Sequence, residues 1–167
     1  VSELDRRALF STDLSAWAEE QAHLLAVGEV EAIDHAHIAE IVRDLGERER
    51  REIRDRLGVI LTGLLRWAAE VDLRCDGWAI TIDRQRRLVA SRLDDSPSLR
   101  PELPWLVAEV YPEAKARAVL ESALFDDSFS ESCPFTDEEI LTPGFLPDPH
   151  GDDVVRGAGW WRREATR

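Results

Sequence analysis

The stretch Leu57-Gly58-Val59-Ile60-Leu61-Thr62-Gly63-Leu64-Leu65-Arg66-Trp67 is the most apolar run of the 167-residue chain. Its apolar residues point in nearly every direction around a helix, so a helix here must be buried on most sides. Upstream, Glu47 to Arg56 is almost entirely charged, and only Ile53 carries the stripe Ile53, Leu57, Ile60/Leu61, Leu64/Leu65, Ala68 backward at three-and-four spacing. One long helix is therefore expected, charged at its start and core-forming at its end. The charged half reads as a solvated face laced with i,i+4 pairs such as Glu52 with Arg56. Gly58 and Gly63 each cost a helix about 1 kcal/mol relative to alanine, which points to close approach of neighbouring helices at those positions. The run is about half of the ~20 residues that a membrane span needs, so it predicts a core helix and no membrane partner.

Working outward toward the amino terminus, a helix is expected after Ser11 or Thr12, with Asp13 at its positive end. Leu14, Trp17, Ala18 and Leu24/Leu25 form its inward stripe, Glu19, Glu20 and Gln21 face solvent, and Gly28 stops it. Asp34 caps a second helix through Ile38, Ile41, Val42 and Leu45, which ends or kinks at Gly46. On the other side, a fourth helix is expected at about Trp78 to Leu93, with the stripe Trp78, Ile82, Gln85, Val89, Leu93. Asp94-Asp95-Ser96-Pro97-Ser98 then breaks the chain. Ser98 caps a fifth helix running to about Leu124, kinked or split at Pro112. Thr136-Asp137-Glu138-Glu139 has capping-box spacing and announces a short helix ended by Pro143-Gly144. Pro147 to Gly159 reads as an extended tail ending in Trp160-Trp161-Arg162-Arg163. The fold class is all-α, a single bundle-like domain over residues 1–147 with about five main helices and a short carboxy-terminal one, followed by a tail over 148–167. No alternating apolar stretch is long enough for a sheet.

Composition narrows the chemistry. The net charge is -13, which opposes nonspecific nucleic-acid binding and favours solubility or a basic partner. Cys75 and Cys133 are the two cysteines, far apart and without CxxC spacing, as in a chain with reduced thiols. With no amino-terminal signal in view, the expected compartment is the cytoplasm. Glu20 and His23 have the ExxH spacing that puts a carboxylate and an imidazole on one helical face. A di-iron bundle needs a second such pair, and His37 with Glu40 offers only the reversed order, so no metal and no cofactor are expected. Neither cysteine has a neighbouring histidine, and GxSxG, HExxH and phosphate-cradling loops are absent from the sequence.

The distinctive polar group is Arg84, Gln85 and Arg87 on the fourth helix, where Arg84 and Arg87 share a face suited to a phosphate or an acidic partner. The simpler reading pairs these arginines with the chain's abundant carboxylates. Trp160 and Trp161 offer a second contact surface, because tryptophan is a frequent interface anchor.

The order of these residues resembles the DUF29 family, a bacterial and largely cyanobacterial group. The resemblance covers roughly Phe10 to Pro147. It rests on Trp17-Ala18-Glu19-Glu20, Leu45-Gly46, Leu64-Leu65-Arg66-Trp67, Trp78 with Thr81-Ile82 and Gln85-Arg86-Arg87, Asp95-Ser96-Pro97-Ser98-Leu99, and Cys133-Pro134-Phe135-Thr136. It implies an all-helical fold and carries over no reaction and no catalytic residues. Between Trp67 and Trp78 this chain is less basic than the family pattern, which further lowers a nucleic-acid reading. Two expectations follow: a non-catalytic protein-interaction or regulatory module, one version being antitoxin-like masking of a basic partner, or an enzyme or small-ligand binder with a polar cleft near Arg84, Gln85 and Arg87. A protein partner or a second copy is the expected partner.

Overall fold

The structure is a computed structural model that describes residues 3–162, with side chains described from residue 8 onward. Arg163, placed at the end of the tail above, lies outside the described residues. The chain is all-α, and no strand occurs among the described residues. Its helices are α1 (Glu3–Thr12), α2 (Leu14–Val27), α3 (His35–Ala69), α4 (Asp76–Asp95), α5 (Leu103–Glu121), α6 (Asp137–Leu141) and α7 (Asp152–Arg156). The chain divides into two compact units where Arg48 meets Glu49, within the run of α3.

In the second unit the apolar half of α3 is the centre. Leu57, Ile60, Leu61 and Leu64 are fully buried, and Leu65 and Trp67 nearly so. Ile82, Val89 and Leu93 of α4, Leu106, Tyr111, Ala114 and Ala118 of α5, and Phe129 and Ile140 beyond them complete this core. Each such aliphatic side chain contributes about 1.5–3 kcal/mol on burial. The glycines of α3 differ in purpose. A Cβ on Gly63 would lie 2.8 Å from Cγ1 of Ile82, whereas one on Gly58 would meet Val110 Cγ1 at an ordinary 3.5 Å. Only Gly63 is required by close packing. Thr62 reinforces the same packing by donating to the Ala114 carbonyl at 3.3 Å.

The charged half of α3 is tied to its neighbours as well as to itself. Arg56 pairs with Glu52, as the i,i+4 spacing predicts. Arg50 makes a forked contact to Glu102 at 2.8 and 3.1 Å, and Arg54 reaches Glu109 at 2.9 Å. These pairs hold α3 against the start and middle of α5.

Several boundaries depart from the sequence expectations, each for a local reason. An additional helix, α1, precedes the first one expected, and Ser11 and Thr12 belong to its last turn, where both hydroxyls donate to the Ala8 carbonyl. Asp13 alone caps α2, accepting from the Ala16 amide at 3.0 Å. Gly28 ends α2 at φ 78°, as expected. Gly46 does not end a helix, because α3 runs through it as a single 35-residue element. Ser98 caps nothing: Pro97–Glu102 forms a 3-10 turn, and α5 starts after it without a side-chain cap. Pro112 sits inside an unbroken α5. Pro112 and Ala108, whose carbonyl loses its intrahelical partner, are both exposed, so the break in the ladder lies on the solvent side of the helix. The capping box at Thr136 forms in full, with Thr136 accepting from the Glu139 amide and Glu139 answering the Thr136 amide.

The first unit is built around Trp17 of α2. Phe10 stacks on His37 with centroids 3.9 Å apart, and Trp17 meets Phe10 edge-on at 4.9 Å. Gln21, expected at the surface, is buried, and its Oε1 accepts the Asp34 amide at 2.7 Å. Asp34 caps α3 as predicted, accepting from the His37 amide at 3.3 Å and meeting its Nδ1 at 2.6 Å. Burial pushes the Asp34 carboxyl upward, but the hydrogen bonds and charge of His37 outweigh it and hold the carboxyl below its ordinary value.

Three outcomes follow. Gly63→Ala should lower the melting temperature, since overpacking of Ile82 costs about 1–3 kcal/mol against about 1 gained in helix propensity, while Gly58→Ala should raise it. Thermal melts in which both move the same way would contradict the assignment. Ile60→Asp, an unpaired charge in the centre of the core, should abolish cooperative unfolding, which calorimetry will read. Asp34 has a depressed carboxyl, so it stabilises its unit above the unfolded aspartate value of about 3.9, and this stabilisation is lost as pH falls through the lower folded value. Trp17 fluorescence during acid titration should show that transition, and Asp34→Asn should remove it.

Candidate functional site

The inward stripe of α4 is Ile82, Arg86, Val89 and Leu93, so the polar residue within it is Arg86 and not Gln85. Gln85 is half-buried and accepts from Arg56 Nη1 at 3.2 Å. Arg84 and Arg87 lie on the exposed side of the helix. Of the three residues picked out by the sequence, Gln85 borders a cavity of about 310 Å³ with Glu52, Asp55, Arg56 and Val59, and Arg84 and Arg87 do not line it. Arg86, with its side chain 1 % exposed, gives Nε to the Ile140 carbonyl at 2.8 Å, Nη2 to the Glu139 carbonyl at 3.2 Å and Nη1 to Asp83 at 2.9 Å. Asp83 also accepts the Gly144 amide at 3.0 Å. Burial lowers the Arg86 pKa and Asp83 opposes it. A guanidinium starts so far above neutrality that it stays charged. This is a clamp that fixes α6 to α4. Its signal was present in the sequence, because position 86 is four after Ile82 and three before Val89.

The tail is folded, not extended. It contains α7, whose first amides are taken by Asp148: Asp152 N at 2.9 Å and Asp153 N at 3.0 Å. Asp148 also faces Arg74 at 3.5 Å. Burial raises the Asp148 carboxyl, but these amides and Arg74 prevail and hold it below its usual range. Arg74 is buried and donates Nε to the Trp67 carbonyl at 2.9 Å. Trp161 packs edge-on against Trp67, centroids 4.7 Å apart, and Arg156 lies over the Trp160 ring at 4.4 Å. Trp160 and Trp161 thus have partners within their own chain and are only half-buried.

Glu20 is half-buried and His23 exposed on α2. Among the described residues no group of three or more His, Cys, Asp or Glu side chains is placed to hold a metal ion. Both cysteines are free thiols. Burial pushes the Cys133 thiol up, and its contact with the Phe135 carbonyl only partly offsets this, so Cys133 has the character of a packed thiol and not of an activated nucleophile. No helix among the described residues is long and apolar enough to cross a membrane.

What stands out is apolar surface. In the first unit Trp17, Leu24 and Ile33 are buried, while Leu14, Leu25, Val27, Val30, Val42 and Leu45 are exposed at 52–62 %. On α3, Ile38, Ile41, Val42 and Leu45 share one face at helical spacing; the first two are half-buried and the last two exposed. On α2, Leu14, Ala18 and Leu25 share another and are exposed. The stripes named from the sequence are real, but they include the outward faces of these helices.

Comparison with known proteins returns no curated protein and no solved structure as a match. A family model described as a domain of unknown function, DUF29, matches residues 9–146, most of the chain. The chain belongs to the DUF29 family.

Proposed function

We propose that this protein is a non-catalytic protein-interaction module of a bacterial cytoplasm, and that its contact surface is the outward apolar face of α3 in the first unit. The supporting observation is the exposure of Val42 and Leu45 at 62 and 54 % beside the half-buried Ile38 and Ile41. A unit this small gains little stability from its own core, and apolar faces of this kind mark association sites. The side chains around the stripe carry both signs: Glu40, Asp44 and Glu47 with Arg43 and Arg48. Mixed charge of this kind suits a second copy of the chain, because two such faces do not repel as two acidic faces would. Masking of a basic partner would use the acidic remainder of the surface, to which the net charge of -13 lends support. The same charge disfavours nucleic acid, so filter binding at about 150 mM salt should retain none.

Light scattering of the full chain should give a mass above that of one protomer. Val42→Glu with Leu45→Glu should weaken the assembly by tenfold or more, on the order expected for two apolar anchors, while leaving the circular dichroism unchanged. A wild-type chain that is monomeric and carries no stoichiometric protein through purification removes the reading.

A further inference from the structure

The chain beyond α5 folds over the last turns of α3 and borders a cavity of about 530 Å³. That size is in the range of about 300–1,000 Å³ common for small-molecule sites. Its wall takes Leu65 from α3 and the rings of Phe129, Phe135 and Phe145. Phe135 and Phe145 meet edge to face, at 73° with centroids 6.4 Å apart, and both rings border the space. One of these rings already receives a cation, since the Arg86 guanidinium lies 6.0 Å from the Phe145 centroid.

The carboxylates in the wall share it with one imidazole, that of His150. Glu139 and Asp148 line the cavity and no lysine or arginine does. Asp148 is answered by Arg74 and by the α7 amides. Glu139 uses Oε2 for the Thr136 amide and hydroxyl, and its Oε1 accepts no hydrogen bond among the described residues. An anion would be repelled here. A neutral apolar ligand would strip water from the carboxylate and return nothing. A cation with apolar substituents satisfies both features, because aromatic faces attract it through their quadrupoles while the methyl groups cover the apolar wall.

We propose that this cavity binds an alkylammonium group, tertiary or quaternary, with Phe135 and Phe145 as its aromatic walls and Glu139 as its counter-charge. The chemistry is shared by free quaternary amines and by a trimethylated lysine side chain. The proposal does not depend on the association face of α3.

Calorimetric titration of the full chain tests it, with choline, with the uncharged tert-butyl isostere of choline, and with a short peptide carrying trimethyl-lysine. Choline or the peptide should bind about tenfold more tightly than the isostere. Binding by choline assigns the site to a free amine, and binding by the peptide alone assigns it to a modified side chain. Glu139→Gln should weaken the cation by about tenfold with an unchanged melting temperature, since glutamine keeps the reciprocal cap with Thr136. Equal binding of the isostere, indifference to Glu139→Gln, or no heat with either cation overturns the proposal.

Discussion

Burial of the second half of α3 on most of its sides is the constraint from which the larger unit follows. Leu57, Ile60, Leu61 and Leu64 form one fully buried face, and Thr62, Leu65 and Trp67 extend the burial around its flanks. A helix can be enclosed in this way because its backbone groups are satisfied internally, whereas a strand so enclosed would need ladder partners. One neighbour cannot cover such a surface, so α4, α5 and the chain beyond α5 must all close on it. Gly63 marks where this closure is tightest, since the flank of Ile82 occupies the place a Cβ would take.

The closing elements beyond α5 are too short to be helices on their own account. α6 and α7 have five residues each, well below the ~12 at which an isolated helix becomes even marginal. They persist because other parts of the chain satisfy their ends. Thr136 and Glu139 complete the amino end of α6, Arg86 takes the Glu139 and Ile140 carbonyls at its other end, and Asp148 takes the first amides of α7. The irregular character of this region in the sequence and its order in the structure are compatible: order comes from capping and burial, not from propensity.

Features set by local chemistry were legible from the residues. The long apolar run, the αL stop at Gly28, the Asp34 cap and the Thr136 box needed only neighbours in sequence to be read. What could not be read depended on remote partners. Gln21 looks like a surface residue until the Asp34 amide, thirteen residues away, is seen on its side-chain oxygen. Leu14 and Leu25 look like core until their face is seen to be open. A helical stripe tells which residues share a side and not which side has a neighbour. The same limit applied at α4, where polarity drew attention to the exposed Arg84 and Arg87 and away from Arg86, the arginine that acts.

The buried arginines Arg74 and Arg86 have a common role that explains why an acidic chain places cations in its interior. Arg74 donates to the Trp67 carbonyl, among the last carbonyls of α3, and Arg86 donates to the Glu139 and Ile140 carbonyls at the end of α6. A helix end leaves such carbonyls without intrahelical donors and carries partial negative charge, so a cation there gains both hydrogen bonds and a favourable field. Burial alone would make each charge costly, and each is met by a carboxylate as well, Asp148 for Arg74 and Asp83 for Arg86. Lysine would not serve equally. Arg86 reaches two successive carbonyls and a carboxylate at once, and that demands a planar fork with several fixed donors in place of a single ammonium. The arginines thereby join elements far apart in sequence, α4 to α6 and the end of α3 to the tail, and through those joints the segment beyond α5 is held against the buried half of α3.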